Sequence, residues 1–390
     1  MISVSEARAL LFDLISPLEA ETVSLKQAAG RVLAADVSAN RDQPPFAASA
    51  MDGYAVKSAE VEIHAMFKVI GESAAGHGYD GTVGPGEAVR IFTGAPVPEG
   101  ADFVVIQEDI DRKGDLITIS DQPGPGHNIR PAAADFARGS KVVAPRILSP
   151  SDVALLASMN IAQVPVMRKP VVALIATGDE LVMPGEDPGP DQIIASNSFG
   201  LHAMFEALGA EVRMLPIARD TEASLRMAFS LAEGADLVIT IGGASVGDHD
   251  LVGPVAASMG MERSFYKIAM RPGKPLMAGR MGDAAMIGLP GNPVSAMVCG
   301  TVFVTPVIRA MQGLGKAAPA TRTASLAADI GPNGDREHYM RATVEGGALS
   351  AYGNQDSSLL TVLAGANALL VRPPNDSARK AGDVVEYLPI

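Results

Sequence analysis

Leu237, Val238, Ile239, Thr240 and Ile241 form a branched, apolar run that leads into Gly242 and Gly243, a short loop, and the aspartates Asp248 and Asp250. The run predicts a buried strand. The glycines and aspartates after it predict chemistry. Glycines at a strand end let an anion reach backbone N–H groups, and two carboxylates offer hard oxygen ligands to a cation such as Mg2+. Ser245 and Gly247 complete the loop as candidate substrate contacts. A phosphate-plus-magnesium site is one reading; a glycine-rich connection with solvated aspartates is the other. A Walker loop is excluded, because Gly247 is followed by Asp248 and His249 rather than by Lys and Ser/Thr. No G-x-G-x-x-G follows a strand, so a dinucleotide site has no motif in its favour.

Such a loop needs a sheet to hold it. From about Lys169 to Gly313 strand-like and helix-like segments alternate. The strands are expected at 171–177, 212–218, 236–242 and 284–290, with helices near 198–208 and 222–233. This alternation predicts a parallel sheet covered on both faces. Ligands gather at the carboxyl ends of such strands, which assembles Asp179, Glu180, Asp220, the 242–250 loop, Pro290, Gly291 and Asn292. Asp220 also suits a helix N-cap before Thr221 and Glu222, and Asn292 with Pro293 suits an N-cap and first helical position. Lys267, Arg271 and Lys274 form a basic cluster between two of the strands. Lys267 and Arg271 share a face if helical, although Pro272 and Pro275 argue for an extended path; anion binding and a solvated basic loop are both open.

The chain has 390 residues, which predicts several domains, and 47% apolar against 19% charged residues, which fits a soluble enzyme. A net charge of −13 argues against nucleic-acid binding. Cys299 is the single cysteine, which excludes a disulfide framework and a multi-thiolate metal site, and its apolar setting predicts a buried structural thiol. The six histidines lack ligand spacing, so zinc is unsupported. Residues 284–308 carry no charge, yet Gly288, Pro290, Gly291, Asn292 and Pro293 break them into a strand and a buried core helix, not a membrane span. The amphipathic N-terminus is no signal peptide, and a cytoplasmic location is expected.

Ser3 and Glu6 stand at capping-box spacing for a first helix, and a second short helix is expected from Ser24 to Gly30. From 42 to 135 short alternating segments and turn glycines predict a β-rich domain. Within it Asp52-Gly53 reads as a hairpin turn, and Thr93-Gly94 as a loop or an anion contact. Arg130 either clamps an oxyanion or pairs with Asp135. A helix is expected at 149–160, and an all-β domain after Ala317.

The segments PPFAASAMDGYAV, IFTGAPVPEGADFVVIQED, ATGDEL, SNS, TIGGASVGDHD, MRPGKPL and LPGNPVSA occur in that order. Together they resemble the molybdopterin molybdenumtransferases, the MoeA family, related to the C-terminal domain of gephyrin. The resemblance covers nearly the whole chain. It implies a multidomain α/β protein: an elongated N-terminal and linker domain (1–41 and 136–168), an inserted β-rich domain (42–135), a three-layer α/β molybdopterin-binding domain (169–315) and a C-terminal β-barrel-like domain (316–390). It implies insertion of molybdenum from molybdate into adenylylated molybdopterin with release of AMP and dependence on Mg2+.

By position in these motifs, Asp52, Thr93, Glu180, Asp220, Asp250, Lys267 and Arg271 are the implied catalytic residues. Glu180 joins Asp248 and Asp250 as implied metal ligands. Arg130, Asp135, Lys274, Pro290, Pro293 and Ser358 match implied substrate contacts. A homodimer is implied, with the molybdopterin adenylyltransferase and apo-molybdoenzymes as further partners. Three positions depart from the family: Arg271 replaces a usual lysine, Ala134 stands where the Gly-Glu before Asp135 is expected, and Ala195 stands where an aspartate is commoner. A non-catalytic molybdopterin-binding scaffold and an adenylyltransferase are the alternative functions.

Overall fold

A computed structural model describes residues 1–243 and 251–390. The expectations for Ser245, Gly247, Asp248 and Asp250 therefore lie outside the described residues. The chain divides into two compact units, one of Met1–Glu21, Gly30–Ala34 and Val166–Ile390, the other of Thr22–Ala29 and Ala35–Pro165.

The first unit is built on a six-stranded sheet in the order Glu211–Met214, Val171–Ala176, Leu237–Ile241, Ala284–Leu289, Met277–Met281, Glu262–Tyr266. The first four strands are parallel; Met277–Met281 pairs antiparallel to Ala284–Leu289, and Glu262–Tyr266 pairs antiparallel to Met277–Met281. The sequence predicts only the parallel part. Strand residues alternate between two cores: Val172, Leu174, Ile239 and Ile287 face one side, while Ala173, Ile175, Val238 and Met286 face the other. Helix Ser196–Ala207 and the helical run from Pro293 to Met311 cover the first face; Glu222–Leu231 and Val252–Ser258 cover the second. This period-two division makes three layers.

The run Pro293–Met311 is apolar and mostly buried, which makes it the core helix expected of it. Cys299 lies fully buried within it, and burial pushes its thiol pKa up. The strand expected at 212–218 ends at Met214, because Pro216 has no N–H for the ladder. The N-terminal helix Val4–Asp13 carries the expected Ser3/Glu6 capping box and buries Val4, Ala7 and Leu11 in the first core.

Arg168 and Asp236 lock the start of the sheet. Both Nη atoms of Arg168 donate to the Asp236 carboxylate at 2.7 Å, and Val171 N–H donates to the same carboxylate at 2.8 Å. Arg168→Met leaves a mostly buried carboxylate without its cation, and is expected to cost about 2–3 kcal/mol in urea denaturation. A loss below about 0.5 kcal/mol, the range of ordinary surface changes, would refute the lock.

Five strands of the C-terminal part, Arg322–Leu326, Glu337–Glu345, Ala348–Ala351, Ala368–Arg372 and Val384–Pro389, close into a barrel. One short helix, Leu360–Ala364, interrupts the expected all-β pattern. A sixth strand, Met270–Arg271, adds to the barrel in parallel, with Met270 opposite Glu337 and Arg271 opposite His338. The basic cluster is thus extended, as its prolines argue, and not helical.

The second unit holds a six-stranded sheet in the order Phe103–Ile106, Gly53–Val56, Glu87–Ile91, Met66–Ser73, Leu116–Ile119, Ile110–Lys113. Tyr54, Val56, Phe67, Phe103, Val105 and Ile117 fill its core. Asp52-Gly53 is not a hairpin turn: Gly53 begins a central strand, paired with both Ile91 and Ile106. The helix expected from Ser24 is a single 3-10 turn, Leu25–Gln27, with the Ser24 hydroxyl donating to Gln27 Oε1. Helix Pro150–Ser158 starts at a Ser149/Asp152 capping box.

Candidate active site at the strand ends

Each parallel strand of the first unit delivers residues to one edge. Val171–Ala176 runs into Thr177, Gly178 and Glu180; Leu237–Ile241 runs into Gly242 and Gly243; Ala284–Leu289 runs into Pro290, Gly291 and Asn292. They line a cleft of about 700 Å³, joined by Asp220, Pro293 and Ser358. Nine residues expected at the site from the sequence therefore meet: Glu180, Asp220, Gly242, Gly243, Pro290, Gly291, Asn292, Pro293 and Ser358. An apolar cavity of about 530 Å³ adjoins the cleft and shares Ser196 and Asn197 with it.

The glycines are there for geometric reasons. Gly242 has φ +92°, and a Cβ on it would meet Thr177 O at 2.8 Å. Gly243 has φ +61°, and a Cβ would meet Val252 Cγ2 at 2.1 Å. Both conformations and both contacts disfavour any side chain. Gly243→Ala is expected to cost about 1–3 kcal/mol in thermal or urea melts, and Val252→Ala in the same chain to recover part of it. An unchanged melt would refute the close approach.

Thr221, not Asp220, caps helix Glu222–Leu231: its hydroxyl accepts from Ser224 N–H. Asp220 is left to line the cleft, with its own N–H donating to Asp179 Oδ1 at 3.1 Å. Pro293 takes the first turn of its helix, as expected, while Asn292 uses its side chain elsewhere and donates to Ser357 Oγ at 3.1 Å. Val294 N–H donates to Ser357 O, so the barrel loop is pinned to this turn. Ser358 in that loop donates from both N–H and hydroxyl to Asp356 Oδ1. Ala195 is buried immediately before helix Ser196–Ala207 and gives it no side-chain cap. Asn197 donates to Gly291 O at 2.7 Å and ties that helix start to the cleft.

Lys267, Arg271 and Lys274 are not among the residues that line the cleft. Lys274 is exposed and immediately precedes Pro275, which lines the cleft. Arg271 is exposed on the strand that joins the barrel. Lys267 has φ +69° and holds its ammonium 5.1 Å from the centre of the Tyr266 ring.

Sequence reasoning missed Arg341. It is 0% exposed, one N–H group donates to Asp356 O at 2.9 Å, and Nε and Nη1 have no hydrogen-bond partner among the described residues. Burial, then the Arg271 charge, hold its pKa below the ordinary arginine value. His338 is also buried, with Nε2 unpartnered among the described residues. Burial and the charges of Arg271, Arg341, Arg372 and Arg336 lower its pKa to about 4. Buried polar atoms without partners, beside further cations, make a setting that suits an anion. The signal in the sequence was weak: an arginine in an alternating strand reads as a solvent-facing residue.

Asp52, Thr93, Arg130 and Asp135 belong to the second unit. Asp52 Oδ1 accepts from Thr93 N–H at 2.7 Å and from its hydroxyl at 2.8 Å, and these bonds hold the carboxyl below its usual range. Arg130 lies on a two-residue strand paired with Ala48–Ser49. It forms no ion pair with Asp135 among the described residues, which removes that pairing as its explanation.

Comparison with known proteins agrees with this arrangement. Residues 2–160 match the MoeA N-terminal region (domain I and II), 173–310 match a probable molybdopterin binding domain, and 323–390 match the MoeA C-terminal region (domain IV). A molybdopterin molybdenumtransferase from Nostoc sp. is 36% identical across 100% of this chain and 94% of its own. The chain belongs to the molybdopterin molybdenumtransferase family. A Haemophilus influenzae member is 40% identical over 80% of this chain and 78% of its own. A crystal structure of the molybdopterin biosynthesis MoeA protein from Pyrococcus horikosii superposes with a TM-score of 0.84 at 30% identity, covering 100% of this chain and 99% of that one. The family's fold, an α/β domain with β-rich regions and a closed C-terminal barrel, is the fold found here.

Proposed function

We propose that this chain transfers molybdenum from molybdate to adenylylated molybdopterin, releasing AMP. One observation carries the reading. A single cleft holds the side-chain-free backbone of Gly242 and Gly243 and two carboxylates, and fully buried Arg341, with two donor atoms unpartnered among the described residues, lies behind the cleft-lining loop that carries Ser358. A pterin phosphate suits the amide of Gly243, since Gly242 N–H already donates to Leu289 O at 3.0 Å, with Asn292 and Ser358 offering polar orientation. A doubly charged oxyanion suits Lys274, Arg271 and Arg341.

The donor set of the cleft suits Mg2+. Glu180 and Asp220 are hard oxygen donors, and no group of three or more His, Cys, Asp or Glu residues able to hold a metal occurs among the described residues. Mg2+ binds with one or two carboxylates, water and substrate phosphates, so this pair is sufficient. When bound, the ion would neutralise charge on the anhydride oxygens of the adenylylated substrate. The protein's own part is to hold the substrate phosphate at the glycines, present Glu180 and Asp220 beside it, and fix the oxyanion against the arginines. The same reading includes a cytoplasmic homodimer, the four-part domain division, contact with the adenylyltransferase and apo-molybdoenzymes, and roles in the reaction for Asp52, Thr93, Arg130, Asp135 and Lys267.

The test is AMP release from adenylylated molybdopterin by the purified chain with Mg2+, as molybdate and then tungstate are titrated. Oxyanion-dependent release is expected. Binding of the pterin without release would replace this reading with the scaffold, and ATP-dependent adenylylation of molybdopterin would replace it with the adenylyltransferase.

A further inference from the structure

Glu180 and Asp220 come from different strand ends, yet both line the cleft. Something must fix the distance between them. The loop that carries Glu180 is short of regular structure. It follows Val171–Ala176 and passes through Gly178, whose φ is +148°. A Cβ on Gly178 would lie 2.3 Å from Glu180 Oε2, so the carboxylate folds back over bare backbone. The carbonyls of Gly178, Asp179 and Leu181 surround Glu180 in sequence. All three accept from one atom, Nη1 of Arg219, at 3.4, 3.0 and 3.0 Å.

Arg219 is the residue before Asp220, and its own main chain is fixed as well. Its N–H donates to Ser224 Oγ at 2.9 Å, and its carbonyl accepts from Thr221 N–H at 2.7 Å. A return contact closes the arrangement, from Asp220 N–H to Asp179 Oδ1 at 3.1 Å. Two hydrogens on Nη1 serve three carbonyls, so one bond is shared, and a single nitrogen carries the whole contact. Arg219 forms no ion pair with a carboxylate among the described residues. Its hydrogen bonds go to backbone oxygens, and what they hold is the path of the loop.

We propose that Arg219 is a positioning residue that sets the spacing of the Glu180 and Asp220 carboxylates across the cleft. This rests on the cleft being the site of the reaction proposed above. Arg219 touches no substrate; it acts through the loop. Displacing a reacting group by about 1 Å costs on the order of 100-fold in rate, so loss of the staple shows in turnover more than in binding, which the glycines and arginines supply.

The experiment compares the full chain with Arg219→Met and Arg219→Lys, measuring kcat and KM for the pterin substrate in oxyanion-dependent AMP release, and hydrogen exchange of the amides of residues 178–182. The methionine variant is expected to lose roughly 10- to 100-fold in kcat with KM within about threefold of wild type, and to exchange faster over 178–182. Lysine, with three hydrogens on one nitrogen, is expected to restore most of kcat. Unchanged kcat in the methionine variant, a loss confined to KM, or no rescue by lysine would overturn the proposal. Should the wild-type chain itself release no AMP, the functional reading falls separately, and exchange decides the positioning role: faster exchange confined to 178–182 supports it, and unchanged exchange overturns it.

Discussion

Arg341→Met is expected to make the protein more stable and nearly inactive. A guanidinium with no exposed surface and two nitrogen atoms without partners among the described residues costs folding free energy, because its lost hydration is only partly replaced by the bond to Asp356 O. Methionine has similar length, carries no charge and fills the same space. Asp356 is exposed, so water takes over at its carbonyl. The expected gain is about 1–3 kcal/mol, seen as a higher unfolding midpoint.

Turnover moves the other way. A preorganised donor that meets developing or resident charge in a dry site contributes on the order of 100- to 1000-fold, and that is the expected loss in kcat/KM for molybdate. Ligand linkage separates the two effects. Saturating molybdate at about 100 times Kd adds about 2.7 kcal/mol to a protein that binds it only when folded. Wild type is expected to show that increment and the variant to lose most of it. A variant that is less stable than wild type, or that keeps the molybdate increment, would show that Arg341 is an ordinary packed residue.

How much of this was legible in the sequence depends on which contacts are local. The strand 237–241, the strand 284–289 before Pro290, the capping box at Ser3/Glu6 and the helix that starts at Pro150 depend on neighbours within a few residues, and they form where the pattern places them. The gathering of Glu180, Asp220, Gly242 and Asn292 obeys one rule about strand ends, so it too was readable. The antiparallel pair Glu262–Tyr266 and Met277–Met281 was not, because alternation of strands and helices carries no mark of an added hairpin at the edge. Arg271 joins a barrel strand 67 positions further along (338 − 271), a pairing that only tertiary structure creates. Asp52-Gly53 has the composition of a turn, yet neighbours on both sides draw Gly53 into a sheet. Arg341 is the instructive case: Met340, Ala342 and Val344 pack with the barrel core, so the strand's pattern assigns Arg341 to the opposite face, and it is the packing of that face that buries it.

Acidification is expected to destabilise the protein through His338. The imidazole titrates near 6.5 in an unfolded chain and at about 4 in the fold, where burial and then the guanidinium groups of Arg271, Arg341, Arg372 and Arg336 oppose its charge. Arg271 and Arg372 stand opposite it on the two neighbouring strands. Above pH 6.5 both states are neutral and the residue contributes no pH dependence. As pH falls from 6.5 to 4, the unfolded chain takes up a proton that the folded chain refuses, so stability declines, by roughly 3 kcal/mol in total. His338→Gln removes this titration. The stability difference between wild type and the variant, measured in urea at pH 7 and again near pH 4.5, is therefore expected to shift by about 2–3 kcal/mol in favour of the variant. A difference that stays constant would mean that His338 keeps an ordinary pKa in the fold. Arg341→Met supplies an internal control: with one opposing charge removed, the His338 pKa rises toward 6.5 and the pH-dependent loss becomes smaller. The same neutral imidazole keeps its own charge constant from pH 7 to about 5, so His338 is expected to contribute no pH dependence to molybdate affinity over that range.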